Sequence, residues 1–181
     1  GWKNREVIQC FSDYADFCTK TFGDRVKNWM VLNEPVAFTV LGYLLGIHAP
    51  GKIGLKNGLP AIHHAAMCQA EGGRIIRQNV KNANVGTTFS CSSIHPFRDL
   101  IKDQKVADRF DALLNRLFIE PSLGLGYPAD KFKTLKKIYK YVLPGDLEKL
   151  KFEFDFIGIQ NYTRVIAKSN ALVPFLKGTP I

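Results

Sequence analysis

Glu34 is the residue of this chain best placed to do chemistry. It stands in Asn33-Glu34-Pro35, directly after Val26-Lys27-Asn28-Trp29-Met30-Val31-Leu32, a run rich in β-branched and aromatic residues that reads as a buried strand. Pro35 has no backbone N–H and halts the ladder, so a carboxamide and a carboxylate fall together at the strand's carboxyl end. In parallel α/β folds functional groups project from that end. Glu34 would act there as a general acid if its surroundings raise its pKa; the competing reading is a loop glutamate paired with an arginine or capping a helix. Other acids are less well placed. Glu120 and Glu153 lie on connections, and Asp155 opens a later strand at the end opposite the site. His48 follows in the next loop, as loop packing or pocket lining. His63-His64 opens a helix, in a capping or core role. No acidic ligands stand at matching spacing, so neither a metal nor a cofactor is expected.

The elements that must position Glu34 alternate helix and strand, the pattern of an α/β fold with parallel strands. Residues 5–21 form an amphipathic helix with Val7, Phe11, Tyr14/Ala15 and Cys18 on one face, Asn4 as N-cap and Gly23 as its stop. After the strand comes a loop with Gly46, Pro50, Gly51 and Gly54. A second helix spans 60–79 with Pro60 in its first turn, weakened by Gly72-Gly73. Residues 83–90 are another strand. Residues 103–118 are a helix with Phe110, Leu113, Leu114 and Leu117 on one face, ended before Pro121. Two short helices flank Pro144-Gly145 within 129–151, and residues 154–162 are a third strand. Three parallel strands leave two unpaired edges, which natural proteins rarely leave bare; the sheet belongs to something larger or is covered.

Composition narrows the class. The 181 residues include 46% hydrophobic and 12% aromatic residues, enough for a core and too much for disorder. The longest nearly apolar run, Phe38–Ile47, is too short to span a membrane. The first residues lack both an initiator Met and the apolar stretch of a signal peptide, so the chain reads as starting inside a longer one. Cys10, Cys18, Cys68 and Cys91 form no C-x-x-C pair, which points away from zinc, redox motifs and disulfides and toward a reducing cytoplasm. With 25 Lys+Arg against 16 Asp+Glu the net charge is +9. Lys131, Lys133, Lys136, Lys137, Lys140, Lys149 and Lys151 supply much of it on one helical connection. No aromatic stacking platform or helix-turn-helix accompanies them, so they read as a solvated face and not as a nucleic-acid site.

The run Phe22-Gly23-Asp24-Arg25-Val26-Lys27-Asn28-Trp29-Met30-Val31-Leu32-Asn33-Glu34-Pro35, followed by Leu41-Gly42-Tyr43 and Gly46-Ile47-His48-Ala49-Pro50-Gly51, resembles glycoside hydrolase family 1, the β-glucosidase family. Gly1-Trp2, Leu114-Asn115-Arg116-Leu117-Phe118 with Pro121, Gly126-Tyr127-Pro128 and Phe154-Asp155-Phe156-Ile157-Gly158-Ile159 match in the same order. The resemblance covers nearly the whole chain. It implies that residues 1–181 are the central portion of a single (β/α)8 TIM-barrel catalytic domain, about strands four to six, with N- and C-terminal parts missing. It implies a β-glycoside substrate and a retaining two-carboxylate mechanism with Glu34 as acid/base. Asn33 would hold the sugar 2-hydroxyl, and Tyr162 matches the strand-six tyrosine that steadies the nucleophile. Where the family carries N-Y-Y this chain has Gln160-Asn161-Tyr162, so Gln160 keeps a carboxamide one methylene longer and is expected, with Asn33, to bind the substrate. The family's nucleophile stretch, T-E-N-G, does not occur. The expectation is therefore an enzyme whose central piece alone does not turn over, or, alternatively, a non-catalytic sugar- or protein-binding remnant of the same fold.

Overall fold

In the computed structural model, which describes residues 1–181, the first helix α1 (Val7–Phe22) follows the predicted spacing and starts two residues later than expected. Asn4 caps the turn before it, its side-chain oxygen accepting from the Glu6 N–H at 3.2 Å. Strand β1 (Asn28–Asn33) leads into a π-helical segment (Ala37–Leu44), then the long helix α2 (Leu55–Asn79) and strand β2 (Asn84–Ser90). A short strand β3 (Ile94–Pro96) precedes α3 (Ile101–Asp111), a π-helical turn (Ala112–Arg116) and α4 (Leu117–Ser122). The Lys-rich connection holds a 3-10 helix (Lys133–Lys140) and α5 (Asp146–Leu150). Strands β4 (Phe156–Gln160), β5 (Val165–Ser169) and β6 (Gly178–Pro180) complete the chain.

The three strands expected from the sequence form one parallel sheet in the order β1-β2-β4. A second, small sheet, β3-β5-β6, is mixed, with β5 and β6 antiparallel. The sequence reading has no counterpart for it, because strands of three to five residues carry too few positions for an alternation to register. Four further expectations are corrected. β1 was expected to be buried; it is an edge strand, and Met30 is 62% exposed. The helix at 103–118 is broken by the π-helical turn and continues through Pro121. The third strand is shorter than 154–162. The second helix starts five residues before Pro60, at Leu55, directly after Gly54, whose positive φ of 94° turns the chain into it.

α2 organises the core. It is buried on nearly all sides from Gly58 to Ala70, packed against α1, the π-helical segment, α5 and the 3-10 helix. Gly72 and Gly73 belong in it because their neighbours leave no room for a side chain. A Cβ on Gly72 would lie 2.7 Å from a Phe11 ring carbon, and one on Gly73 2.6 Å from Phe152. Leu59, Ile62, Leu113, Leu117, Phe118 and Ile138 are almost wholly buried in the same cluster.

Across this core runs a buried polar string. His63 Nε2 and Asp146 Oδ2 are 2.9 Å apart, and His63 Nδ1 lies 2.8 Å from the Tyr127 hydroxyl. The Asp146 carboxylate only accepts, so Nε2 carries the proton toward it and Nδ1 accepts from the Tyr127 O–H. Arg5 closes the string with two hydrogen bonds to Asp146. Burial pushes the His63 pKa down against the pull of Asp146. Asp146 is itself costly to bury; the hydrogen bonds from Arg5, His63 and the Leu143 N–H outweigh that and hold its carboxyl below the usual range. His63 and His64 are thus core contacts, His64 with Nδ1 3.0 Å from the Trp2 carbonyl.

Candidate active site

Three strand ends build the site. On β1 the ladder skips: Met30 pairs with Gly86 and Asn33 with Thr88, three residues against two. Such a bulge re-aims the side chains that follow it, and here it delivers Asn33 and Glu34 to the mouth of the sheet. Glu34 donates its N–H to the Thr88 carbonyl at 3.1 Å as the last strand contact. Its φ of 44° is in the left-handed region that non-glycine residues seldom occupy. Strain of this kind persists where the surroundings over-determine it, commonly at functional positions. Pro35 and the π-helical segment follow at once, with the Thr39 hydroxyl donating to the Pro35 carbonyl at 2.6 Å. A π-helix widens the turn and is often found at functional sites. Trp2 braces this segment, its ring centred 4.6 Å from that of Phe38.

The residues singled out in the sequence meet. Asn33 Oδ1 accepts from the Thr88 hydroxyl at 2.8 Å and from Gln160 Nε2 at 2.6 Å. The Tyr162 hydroxyl donates to Gln160 Oε1 at 3.1 Å. A single string therefore joins Asn33 on β1, Thr88 on β2, Gln160 on β4 and Tyr162 just past it, with Glu34 the next residue in the chain. Glu34 is half-buried, and no ion pair of the chain involves it, so the arginine-paired loop glutamate has no partner here. Tyr162 is 80% exposed, because β4 is the other edge of the sheet and the residue lies beyond its end.

The remaining candidates fall elsewhere. Asp155 accepts from Arg77 and from the Val85 N–H at the opposite end of the sheet, and Glu120 pairs with Arg116. His48 is exposed in its turn, and the lysines of the connection line the outer surface. No group of three or more His, Cys, Asp or Glu side chains is arranged to hold a metal ion, and no helix is long and apolar enough to cross a membrane. Two positioning residues had no role assigned from the sequence, although Asn115 lies within one of the runs that match the family. Thr88 gave no signal beyond its place near the end of a strand. Asn115 sits in the π-helical turn and clamps the loop after β2, accepting from the Ser92 N–H at 2.9 Å and donating to its carbonyl at 3.0 Å.

In barrel enzymes the functional groups stand at the carboxyl ends of a parallel sheet, which is where this chain carries Glu34 and the carboxamides of Asn33 and Gln160. The Glycosyl hydrolase family 1 profile matches residues 1–175, and the chain belongs to that family. It is 30% identical over 170 residues to a 1,4-beta-D-glucan glucohydrolase of Thermotoga neapolitana, which spans 93% of this chain and 40% of that protein. It is 33% identical over 173 residues to beta-glucosidase 42 of Arabidopsis thaliana, 90% of this chain and 34% of the relative. Among solved structures, the AHE enzyme of Alicyclobacillus herbarius superposes with a TM-score of 0.94 at 28% identity, covering all of this chain and 41% of that one. A beta-glucosidase from Thermotoga maritima in complex with deoxynojirimycin does so with a TM-score of 0.91 at 27% identity, again over 41% of its length. The chain thus spans about two fifths of these relatives, and its two open sheets are a portion of a (β/α)8 barrel.

Proposed function

We propose that residues 1–181 are the central portion, strands four to six, of a single catalytic barrel, and that they carry the acid/base half of a retaining β-glycosidase acting on β-linked glucosides. The observation that carries this is Glu34 at the carboxyl end of a parallel strand, strung beside Asn33, Gln160 and Tyr162 across three strand ends; relatives named as β-glucosidases support it. Glu34 gives its proton to the glycosidic oxygen as the bond to the anomeric carbon breaks. A second carboxylate, about 5–5.5 Å away in retaining enzymes and supplied from outside these residues, attacks that carbon and forms a glycosyl ester. Glu34 then takes a proton from the water that displaces the ester. Asn33 holds the 2-hydroxyl, and Tyr162 steadies the second carboxylate. The isolated chain has no turnover, because Glu120 pairs with Arg116, and Glu153 and Asp155 precede β4 at the end of the sheet opposite Glu34. Four free cysteines support a reducing, cytoplasmic setting.

The test assays the protein from its complete reading frame, its Glu34→Gln variant and residues 1–181 alone on aryl β-glucosides. Glu34→Gln is expected to lose about 10²–10⁴-fold with a poor leaving group and far less with dinitrophenolate, which departs unprotonated. Turnover that survives Glu34→Gln with both leaving groups refutes the assignment. Sugar binding without turnover by the complete protein selects the non-catalytic remnant.

A further inference from the structure

We propose that Gln160 is a positioning residue: its carboxamide, reaching across the central strand, sets which end of the Asn33 amide faces the substrate. This rests on the glycosidase reading above and goes beyond it, because it gives Gln160 the Asn33 amide as its partner in place of the direct contact with the substrate expected from the sequence.

The geometry is directional. Gln160 and Asn33 lie on β4 and β1, the two outer strands of the sheet, with β2 between them. Gln160 pairs with Ser90 and Asn33 with Thr88, so the amide must cross the top of β2. Gly158 clears the way. A Cβ there would stand 2.6 Å from the Thr88 methyl group, and Thr88 could not hold its hydroxyl under Asn33. Two polarities satisfy the string. In one, Tyr162 donates to Gln160 Oε1, Gln160 Nε2 donates to Asn33 Oδ1, and the Thr88 hydroxyl donates to the same oxygen. In the other every amide is turned over, and the Thr88 proton is left with the Leu32 carbonyl at 3.4 Å. The first gives that proton an acceptor at 2.8 Å and is the stronger arrangement. It fills Asn33 Oδ1 with two donors and leaves both Asn33 Nδ2 protons for a ligand oxygen. A sugar hydroxyl close to the reacting carbon is then met at its oxygen by a donor, which leaves its own proton, more acidic as positive charge develops at that carbon, free for an acceptor such as the second carboxylate. The 2.6 Å contact also depends on length: asparagine at 160 would fall short by about one carbon–carbon bond, ~1.5 Å.

The readout is the ratio of kcat/KM for an aryl β-glucoside to that for its 2-deoxy analogue, in the complete protein. Gln160→Ala removes the bridge. Gln160→Glu keeps the length and can only accept, so it draws the Asn33 N–H groups away from the sugar. Both are expected to lower the ratio about tenfold, the worth of one hydrogen bond, and Gln160→Ala is expected to leave the ratio of an Asn33→Ala variant unchanged. Equal losses on the two substrates, or an unchanged ratio, overturn the proposal. If the wild-type protein cleaves neither substrate, the glycosidase reading is what has failed, and the bridge is decided by ¹⁵N NMR of the side-chain amides. Gln160→Ala must then shift the Asn33 amide pair while the β1 and β2 backbone signals hold; an unmoved pair overturns it.

Discussion

His63 and Asp146 show how much of this molecule's stability hangs on single protons. Both groups titrate below their ordinary values in the folded state, His63 because burial disfavours its charge and Asp146 because three donors outweigh its burial. A lowered folded-state pKa means stability that is full above the unfolded value and lost as pH falls through the folded one. Unfolding monitored against pH is therefore expected to show one loss starting below about pH 6.5, from His63, and a second below about pH 4, from Asp146. Replacing Asp146 with Asn leaves Arg5 without its counter-charge and His63 without a full acceptor. The expected loss is about 3 kcal/mol by denaturant titration at neutral pH, together with a flattened acid limb; an unchanged acid limb would remove Asp146 from this role. At this scale a residue's place in the fold is legible where it is fixed locally. Asn33-Glu34-Pro35 announces itself, because a strand stopped by proline puts its polar residues at one end. The bridge from Gln160 to Asn33 spans 127 positions and exists only through the strand order β1-β2-β4, which no local pattern encodes.

Among the elements, α2 and the π-helical segments depart most from the sequence reading. α2 was expected over 60–79 and weakened by Gly72-Gly73, yet the helix is unbroken from Leu55 to Asn79 and enclosed on nearly all sides from Gly58 to Ala70. Its alanines and glycines add little to a hydrophobic stripe but let neighbours approach to backbone distance. Gly72→Ala and Gly73→Ala test this. Helix propensity alone favours alanine by about 1 kcal/mol, but each new methyl meets Phe11 or Phe152 at under 3 Å, and overpacking typically costs about 1–3 kcal/mol. Both variants are expected to be less stable than the wild type in chemical denaturation; a gain in either would mean the aromatic rings simply swing aside. The segment Ala37–Leu44 escaped assignment because Phe38, Val40, Leu41, Leu44 and their neighbours are apolar on every side, so no period of 3.6 stands out. The small sheet owes its place to tertiary contacts, chiefly the buried Asp103, which accepts from Arg98 and from the Ser169 N–H.

At the scale of the whole molecule the chain is an arc with two open edges. Along the β1 edge, Phe11, Tyr14, Trp29 and Met30 line an apolar groove that also takes in Cys18 and Ile76. Unpaired edges beside apolar surface favour self-association. Residues 1–181 alone are expected to bind a dye such as ANS and to self-associate. Met30→Lys should reduce both at almost no cost in stability, because Met30 is already 62% exposed; sedimentation velocity decides it, and unchanged association would move the sticky surface elsewhere. The amide bridge of Gln160 and Asn33 acquires a second meaning here. The outer strands of a flat three-stranded sheet stand about 9.5 Å apart, and a bridge between them is a chord drawn across the arc. It holds only while the sheet keeps its curvature. Flattening would stretch the chord until it parted and free the Asn33 amide before any ladder bond broke, so the order of that amide is a gauge of how round the barrel wall is.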